Sequence, residues 1–177
     1  MTSRLFIVFI AIVTLMLTFY GVVSAEVDGF RGIKWGTELS KLSNEMSYIK
    51  TDPEGIKIYS KKDDKLIIGK AVVVSIEYHF WDDKFCGVLI RSKGNSNFYF
   101  LKEAAVEQFG EGRRLLPKLE NYIWVGKVTY VTLENLEALV PGAFNSLSIY
   151  SKKFLDEGER QHREKVDGAR GGLFEVP

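Results

Sequence analysis

Histidine and cysteine are the residues of this chain best suited to chemistry, and both are scarce. His79 alternates with Glu77 and Trp81, which places the three side chains on one face of a predicted strand. An imidazole beside a carboxylate could carry a proton or supply one metal ligand, whereas its simpler interpretation is a partly exposed strand histidine. A metal site needs several converging ligands, and the chain has only two histidines and one cysteine. We therefore predict no metal and no cofactor.

Cys86 is the sole cysteine, so the chain can form no internal disulfide. We expect Cys86 to be a small buried hydrophobic residue on a strand; the alternatives are an intermolecular disulfide and a reactive thiol.

The sequence contains none of the common catalytic motifs that we searched for. No serine stands in a G-x-S-x-G motif, and Gly110-Glu111-Gly112 lacks the third glycine of a dinucleotide loop. The sequence thus predicts no catalytic residue and a protein that is not an enzyme. The alternative, an envelope hydrolase assembled only in the fold, needs a pocket that joins His79 to a carboxylate or to Cys86.

Aromatic residues are concentrated in two predicted hairpins, around residues 78–85 and 122–130. Most of them should pack in the core or pair across strands. Aromatic side chains with polar tips are also favoured at binding interfaces. We therefore hypothesise a binding platform on an uncovered sheet face, formed by His79, Trp81, Tyr122 and Trp124.

Residues 1–25 have the composition of a secretory signal peptide. Arg4 precedes an apolar run from Leu5 to Tyr20, and Val23-Ser24-Ala25 offers small residues at a cleavage site after Ala25. We expect a periplasmic or secreted protein. The alternative is an uncleaved N-terminal membrane anchor, because Leu5 to Ala25 is about as long as a spanning helix of roughly 20 residues. Contact with a membrane is expected only in that case.

Charge excludes one class of partner. Arg4 is the only charged residue of the first 25, so the remaining basic residues balance the 23 acidic ones. Nucleic-acid-binding domains usually carry a basic surface, and the two signs are interspersed here. We predict no nucleic-acid partner; an unidentified protein, an envelope component or a small ligand remain open.

Residues 26–151 are predicted to form a single α+β domain, with an antiparallel sheet of about six strands and two amphipathic helices on one face. Leu39, Leu42 and Met46 recur at helical spacing, which predicts a first helix from Glu38 to about Glu45. Alternation predicts a strand over Val72–Trp81, with Val72, Val74, Ile76, Tyr78 and Phe80 on its apolar face. A turn at Asp82-Asp83-Lys84 should return the chain into Phe85–Arg91.

The second half is predicted to repeat this order. A helical stripe of apolar residues ends at Gly110 and consists of Phe98, Leu101, Ala105 and Phe109. Strands over 122–125 and 128–133 should join across Gly126-Lys127, with glycine at the first position of a type II′ turn. A final strand is expected over Phe144–Tyr150. The order suggests an α-β-β-β duplication. Residues 152–177 are rich in charge and predict a helix or a solvated tail.

The segment Phe30-Arg31-Gly32-Ile33-Lys34-Trp35-Gly36-Thr37, directly after a signal peptide, resembles the opening of a group of short uncharacterised exported bacterial proteins. In that group a Trp-Gly-Thr or Trp-Gly-Ser step leads into an amphipathic helix. Phe109-Gly110 and the aromatic strand at Tyr122–Val125 are similar to it as well. The resemblance implies export and the start of the domain; it carries no activity and no catalytic residue. The sequence as a whole favours a non-catalytic binding or interaction module, with a hydrolase or a membrane-tethered structural protein as alternatives.

Overall fold

The structure is a computed structural model that describes residues 26–171. Within these residues it contains two α-helices, one short 3-10 helix at Leu39–Leu42, and twelve β-strands. The helices are α1, Asn95–Phe109, and α2, Lys152–Gly171. The strands are β1 Gly29–Phe30, β2 Ile33–Lys34, β3 Met46–Thr51, β4 Lys57–Lys61, β5 Ile67–Ile68, β6 Ala71–Val72, β7 Ser75–Trp81, β8 Lys84–Ser92, β9 Arg113–Arg114, β10 Tyr122–Val125, β11 Thr129–Glu134 and β12 Asn145–Ser151.

Eight of the strands form one antiparallel sheet in the order β3-β4-β7-β8-β12-β11-β10-β9. The α+β class and the antiparallel sheet are therefore confirmed, but the prediction of about six strands is wrong. The sequence also predicts a short strand over Gly55–Ser60, which corresponds to β4. It predicts no strand at β3 or β9, which are the edges of the sheet and are mostly exposed. Edge strands of this kind lack the apolar alternation that marks a half-buried strand.

The sheet consists of two four-stranded halves that meet at the pairing of β8 with β12. In each half the last strand along the chain, β8 or β12, lies at the centre of the sheet, and the earlier strands lie progressively further out. The strand order of one half is therefore the mirror image of the other. A duplicated unit would produce this arrangement. The duplication itself stays a prediction.

The β7–β8 hairpin forms as predicted, with Asp82 and Asp83 in its turn. Both have positive φ, 49° and 57°, which is the backbone of a type I′ turn. Beyond the turn β8 contains a bulge, because Phe80 pairs with Phe85 while His79 pairs with Gly87. Cys86 is the extra residue.

The predicted apolar face of this strand is only partly correct. Ile76, Tyr78 and Phe80 are buried, but Val72 and Val74 are 61% and 49% exposed. The reason is that the chain leaves the extended ladder at residues 73–74, so the alternation of faces does not continue from β6 into β7.

One face of the sheet carries the hydrophobic core, and α1 covers it. All four residues of the predicted stripe are buried, and the helix ends at Gly110, whose φ is 78°. Leu39 and Leu42 pack against the same core. The first predicted helix, however, is only the 3-10 turn, because Met46 begins β3 instead of continuing the helix.

The β10–β11 turn differs from its prediction. Gly126 pairs with Thr129, so Lys127 and Val128 are the central residues, and Gly126 does not have a positive φ. A Cβ at Gly126 would lie 2.9 Å from the carboxylate oxygens of Glu26, the movable end of an exposed side chain, so the Glu26 carboxylate would have to shift. That carboxylate accepts hydrogen bonds from the backbone amides of Lys127 and Val128, the latter at 2.9 Å. The first described residue is thereby fixed to a turn about a hundred residues away.

The C-terminal segment forms α2, which begins directly after β12. Lys152 donates its backbone N–H to the carbonyl of Val128 at 2.8 Å, so the start of α2 lies beside the β10–β11 turn. The sequence left a helix or a solvated tail open for this segment, and the structure forms the helix, which continues through Gly171.

The predicted signal peptide, residues 1–25, lies outside the described residues. Across residues 26–171, the structure contains no helix with the length and apolar character needed to cross a membrane.

Candidate functional site

The register of the sheet separates the four residues predicted to form a platform. Ile76 pairs with Ile90, Ile90 with Leu147, and Leu147 with Leu133, which in turn pairs with Tyr122. Directly paired residues share a face. Tyr122 therefore lies on the core face, and Trp124, two residues on, lies there too. His79 and Trp81 lie an odd number of residues after Ile76 along β7, so their side chains are on the opposite face of the sheet, which we call the second face.

Tyr122 and Trp124 are part of the core, not of an uncovered surface. The indole N–H of Trp124 donates to the Gly110 carbonyl at 2.7 Å, which holds the ring under the end of α1. The hydroxyl of Tyr122 donates to Glu120 at 2.5 Å and accepts from Lys102 at 2.6 Å. The hypothesis of a platform on one uncovered face is thus wrong in its geometry, because α1 covers the face that carries these two residues.

On the second face, His79 is buried and hydrogen-bonded to Tyr150. The Tyr150 hydroxyl lies 2.7 Å from Nδ1 of His79, and the rings meet edge to face. His79, Gly87 and Tyr150 form one row across β7, β8 and β12. The Tyr150 ring crosses directly over Gly87, where a Cβ would overlap it. Glycine at 87 is therefore what lets the tyrosine reach the histidine.

The second nitrogen of the imidazole faces a carboxylate. Nε2 of His79 lies 3.8 Å from Oε2 of Glu77 and has no hydrogen-bond partner among the described residues. The other carboxylate oxygen accepts from Arg91 at 3.1 Å. The pKa of Glu77 is held below its ordinary value, first by His79 and then by the positive charge of Arg91, against the opposing effect of burial. Because 3.8 Å is too long for a hydrogen bond, the contact with His79 is electrostatic.

Cys86 does not form a catalytic pair with His79. Its Sγ donates to the backbone carbonyl of His79 at 3.3 Å, and the imidazole is already engaged by Tyr150. Burial raises the pKa of the Cys86 thiol to about 12. A nucleophilic cysteine needs the thiolate form near neutral pH, so this thiol is inert. The expectation of a small buried hydrophobe on a strand is confirmed.

A cleft of about 780 Å³ separates α2 from the second face of the sheet. Its walls are mainly apolar and are formed by Ile56, Trp81, Cys86, Tyr150, Phe154 and Leu155. Trp81 and Phe154 meet nearly at right angles, with ring centroids 6.1 Å apart. Charged and amide side chains stand at the rim. Of the residues singled out from sequence, Trp81 and Cys86 line this cleft, while His79 lies behind Tyr150.

The helix side of the cleft rests on three residues of a charged segment. Phe154 and Leu155 are half-buried against the sheet, and Gly158 faces the cleft one turn later. A Cβ at Gly158 would meet no atom within 4 Å, so this glycine leaves space open. Glycine in a helix costs roughly 1 kcal/mol relative to alanine. The sequence prediction missed all three; the signal was the adjacent apolar pair followed by a helix-disfavouring glycine.

A second cavity, of about 630 Å³, lies between α1 and the β1–β2 and β5–β6 hairpins. Its charged lining residues are Arg31 and Glu107. Arg31 pairs with Asp64 and donates to the Ile67 carbonyl at 2.8 Å. Asp64 also accepts from the buried hydroxyl of Tyr78 at 2.7 Å. Arg31, Asp64 and Tyr78 thus bond one another and hold the hairpins together. The cleft under α2 is the better candidate site.

No metal site is evident in the described part of the chain, since none of its His, Cys, Asp and Glu side chains gather in groups of three or more. Comparison with known proteins adds no assignment. No protein-family model, no curated protein and no solved structure matches the chain.

Proposed function

We propose that this protein is a non-catalytic binding module that acts outside the cytoplasm and holds a small, largely apolar ligand in the cleft under α2. The cleft carries the proposal. It has the size and the mainly apolar lining of small-molecule sites, with a few polar groups at the rim. Export is proposed from the signal-peptide pattern of residues 1–25.

The chemistry of the cleft favours binding over the alternative of a hydrolase. Its thiol is neutral at ordinary pH, and its phenol is engaged with His79. Burial also raises the pKa of Tyr150 well above its ordinary value. A hydrolase needs an activated nucleophile with a general base within reach, and these groups are neither activated nor free.

Gly158 offers the sharpest test, because its side-chain space opens into the cleft. Gly158→Leu should fill that space, whereas Gly158→Ala adds one methyl group and serves as the matched control. Both should form α2 at least as well as the wild type. The probe is N-phenyl-1-naphthylamine, a neutral apolar dye whose fluorescence rises on leaving water, titrated into the full-chain protein.

We expect saturable binding by the wild type and by Gly158→Ala, and at least about tenfold weaker binding by Gly158→Leu, equivalent to about 1.4 kcal/mol. Trp81→Ala should weaken binding without a large loss of melting temperature. Equal binding by both Gly158 variants would place the dye elsewhere and overturn the cleft as the site. Absence of saturable binding to the wild type would overturn it as well.

Export has its own measurement. The intact mass of the protein from the cell envelope should correspond to a chain that begins at Glu26. A mass that retains residues 1–25 would contradict cleavage and favour a membrane-tethered protein, with the same domain held at the membrane.

A further inference from the structure

We infer that the cleft under α2 selects an organic cation, a small ligand whose alkylated ammonium group sits among aromatic rings. This inference rests on the proposed function, since it names the ligand chemistry of that same cleft. Three observations support it: the identity of the wall residues, the orientation of their rings and the charges at the rim.

Three aromatic side chains line the cleft from different elements: Trp81 from the end of β7, Tyr150 from β12 and Phe154 from α2. Trp81 and Phe154 form a corner, at an interplanar angle of 80°. The face of an aromatic ring attracts a cation, tryptophan most strongly, and such walls are the usual means of binding quaternary ammonium groups. A neutral apolar ligand would be served equally by aliphatic walls.

The Tyr150 hydroxyl is not available to the ligand. It is directed to Nδ1 of His79 at 2.7 Å, so Tyr150 contributes its ring to the cleft and no exposed hydrogen-bond donor. The Lys153 ammonium, which does not line the cleft, lies 5.9 Å from the Phe154 ring centroid, so a ligand cation would need the part of this ring that faces the cleft. A trialkylammonium group, which donates no hydrogen bonds, suits a cleft with these walls.

The rim has an excess of negative charge. Glu54 and Glu159 line the cleft, and the only cationic residue of its lining, among the described residues, is Arg163. Arg163 lies 4.0 Å from Glu159 and is partly neutralised by it. Asp52 lies close behind, accepting the backbone N–H of Ile56 at 2.7 Å. Carboxylates around an apolar cleft favour a cation and disfavour an anion.

The deciding experiment compares isosteres on the wild-type full chain by titration calorimetry. Choline carries a trimethylammonium group, and 3,3-dimethylbutan-1-ol has the same shape with a neutral carbon in place of nitrogen. We expect choline to bind at least about tenfold more tightly than its neutral isostere. Phosphocholine, which adds a dianionic phosphate, should bind more weakly than choline because of the acidic rim; stronger binding would mean that the cation is recognised as part of a phosphorylated headgroup.

The outcomes separate this inference from the proposed function. If choline and its isostere bind equally, or if neither competes with a bound apolar dye, the organic cation is excluded while the cleft remains a binding site. If the dye itself shows no saturable binding, the proposed function fails first.

Single substitutions test whether Trp81 and Glu54 are responsible for choline binding. Trp81→Leu keeps an apolar wall but removes the ring, and should weaken choline binding more than binding of the neutral isostere. Its matched control is Tyr99→Leu, because Tyr99 is 52% exposed on α1, away from the cleft. Glu54→Gln should also weaken choline binding, with the exposed Glu111→Gln as control. Choline affinity unchanged in both Trp81→Leu and Glu54→Gln would overturn the inference.

Discussion

The hydroxyl of Tyr150 lies 2.7 Å from Nδ1 of His79, although the two residues are 71 positions apart and on strands separated by β8. The contact is possible because Gly87, the residue between them in the row, has no side chain. The absence of a side chain at Gly87 thus allows a contact between the two halves of the sheet, on the face that carries the cleft. Tyr150 has two roles: its hydroxyl bonds His79, and its ring forms part of the cleft wall.

Gly87→Ala should destabilise the protein. The added Cβ would overlap the Tyr150 ring, and overpacking of this kind costs about 1–3 kcal/mol. Urea unfolding measures the change. Gly158→Ala is the matched control, because its Cβ meets open space, and we expect it to raise stability by up to about 1 kcal/mol. A Gly87→Ala protein as stable as the wild type would show that the ring does not occupy this position.

Tyr150→Phe should lower the free energy of unfolding by about 1–3 kcal/mol, because it leaves buried Nδ1 of His79 without its partner. The change removes one oxygen atom and keeps the ring that lines the cleft. Tyr99→Phe, at an exposed position on α1, is the control and should leave the unfolding curve unchanged. Equal curves for the two variants would argue against the His79–Tyr150 hydrogen bond.

Glu77 should make stability depend on pH in the acid range. His79 and Arg91 hold its pKa below the ordinary value of 4.5 in the folded state. The resulting stabilisation is present above that value and is lost as the pH falls through the lower, folded pKa. Between pH 5 and pH 3 the wild type should therefore lose more stability than Glu77→Gln. Glu111→Gln, at an exposed position, should follow the wild type. Parallel curves for the wild type and Glu77→Gln would contradict the shift.

Cys86 should resist alkylation while the protein is folded. Burial raises its pKa to about 12, so almost no thiolate is present at pH 8 and the sulfur is shielded. We expect iodoacetamide to react at least about a hundredfold more slowly with the folded protein than with the protein in urea. Intact mass over time measures both rates. Folded and unfolded rates within about tenfold of each other would mean that this thiol is accessible and reactive.

Much of the fold could be predicted because several helices and strands have a recognisable pattern in their own local sequence. The α1 stripe and the β7–β8 hairpin are periodic patterns bounded by strong turn residues. The exposed edges β3 and β9 have no such pattern, and Met46 fits a helical spacing as well as the start of a strand. The register between distant strands cannot be derived from local pattern, and the His79–Tyr150 contact depends on the pairing of β8 with β12.

The predicted site failed for a specific reason. Alternation along a strand tells which residues share a face, but it does not tell which face of one hairpin continues which face of another. Tyr122 and Trp124 were assigned to the face of His79, yet they pair with Leu133 and Val131, which are apolar and buried. That pairing within the second hairpin was a usable sign that they belong to the core. The place of Phe154 in the cleft wall could not be predicted either, because it depends on where α2 begins.

The bonds between Glu26 and the turn at Lys127–Val128 bring the first described residue to the end of the sheet where α2 begins. The same turn holds the start of α2 through Lys152, and Phe154 on that first helical turn lines the cleft. The β10–β11 turn therefore joins the first described residue to the helix that forms one wall of the cleft. The position of that wall thus depends on a loop that does not itself line the cleft.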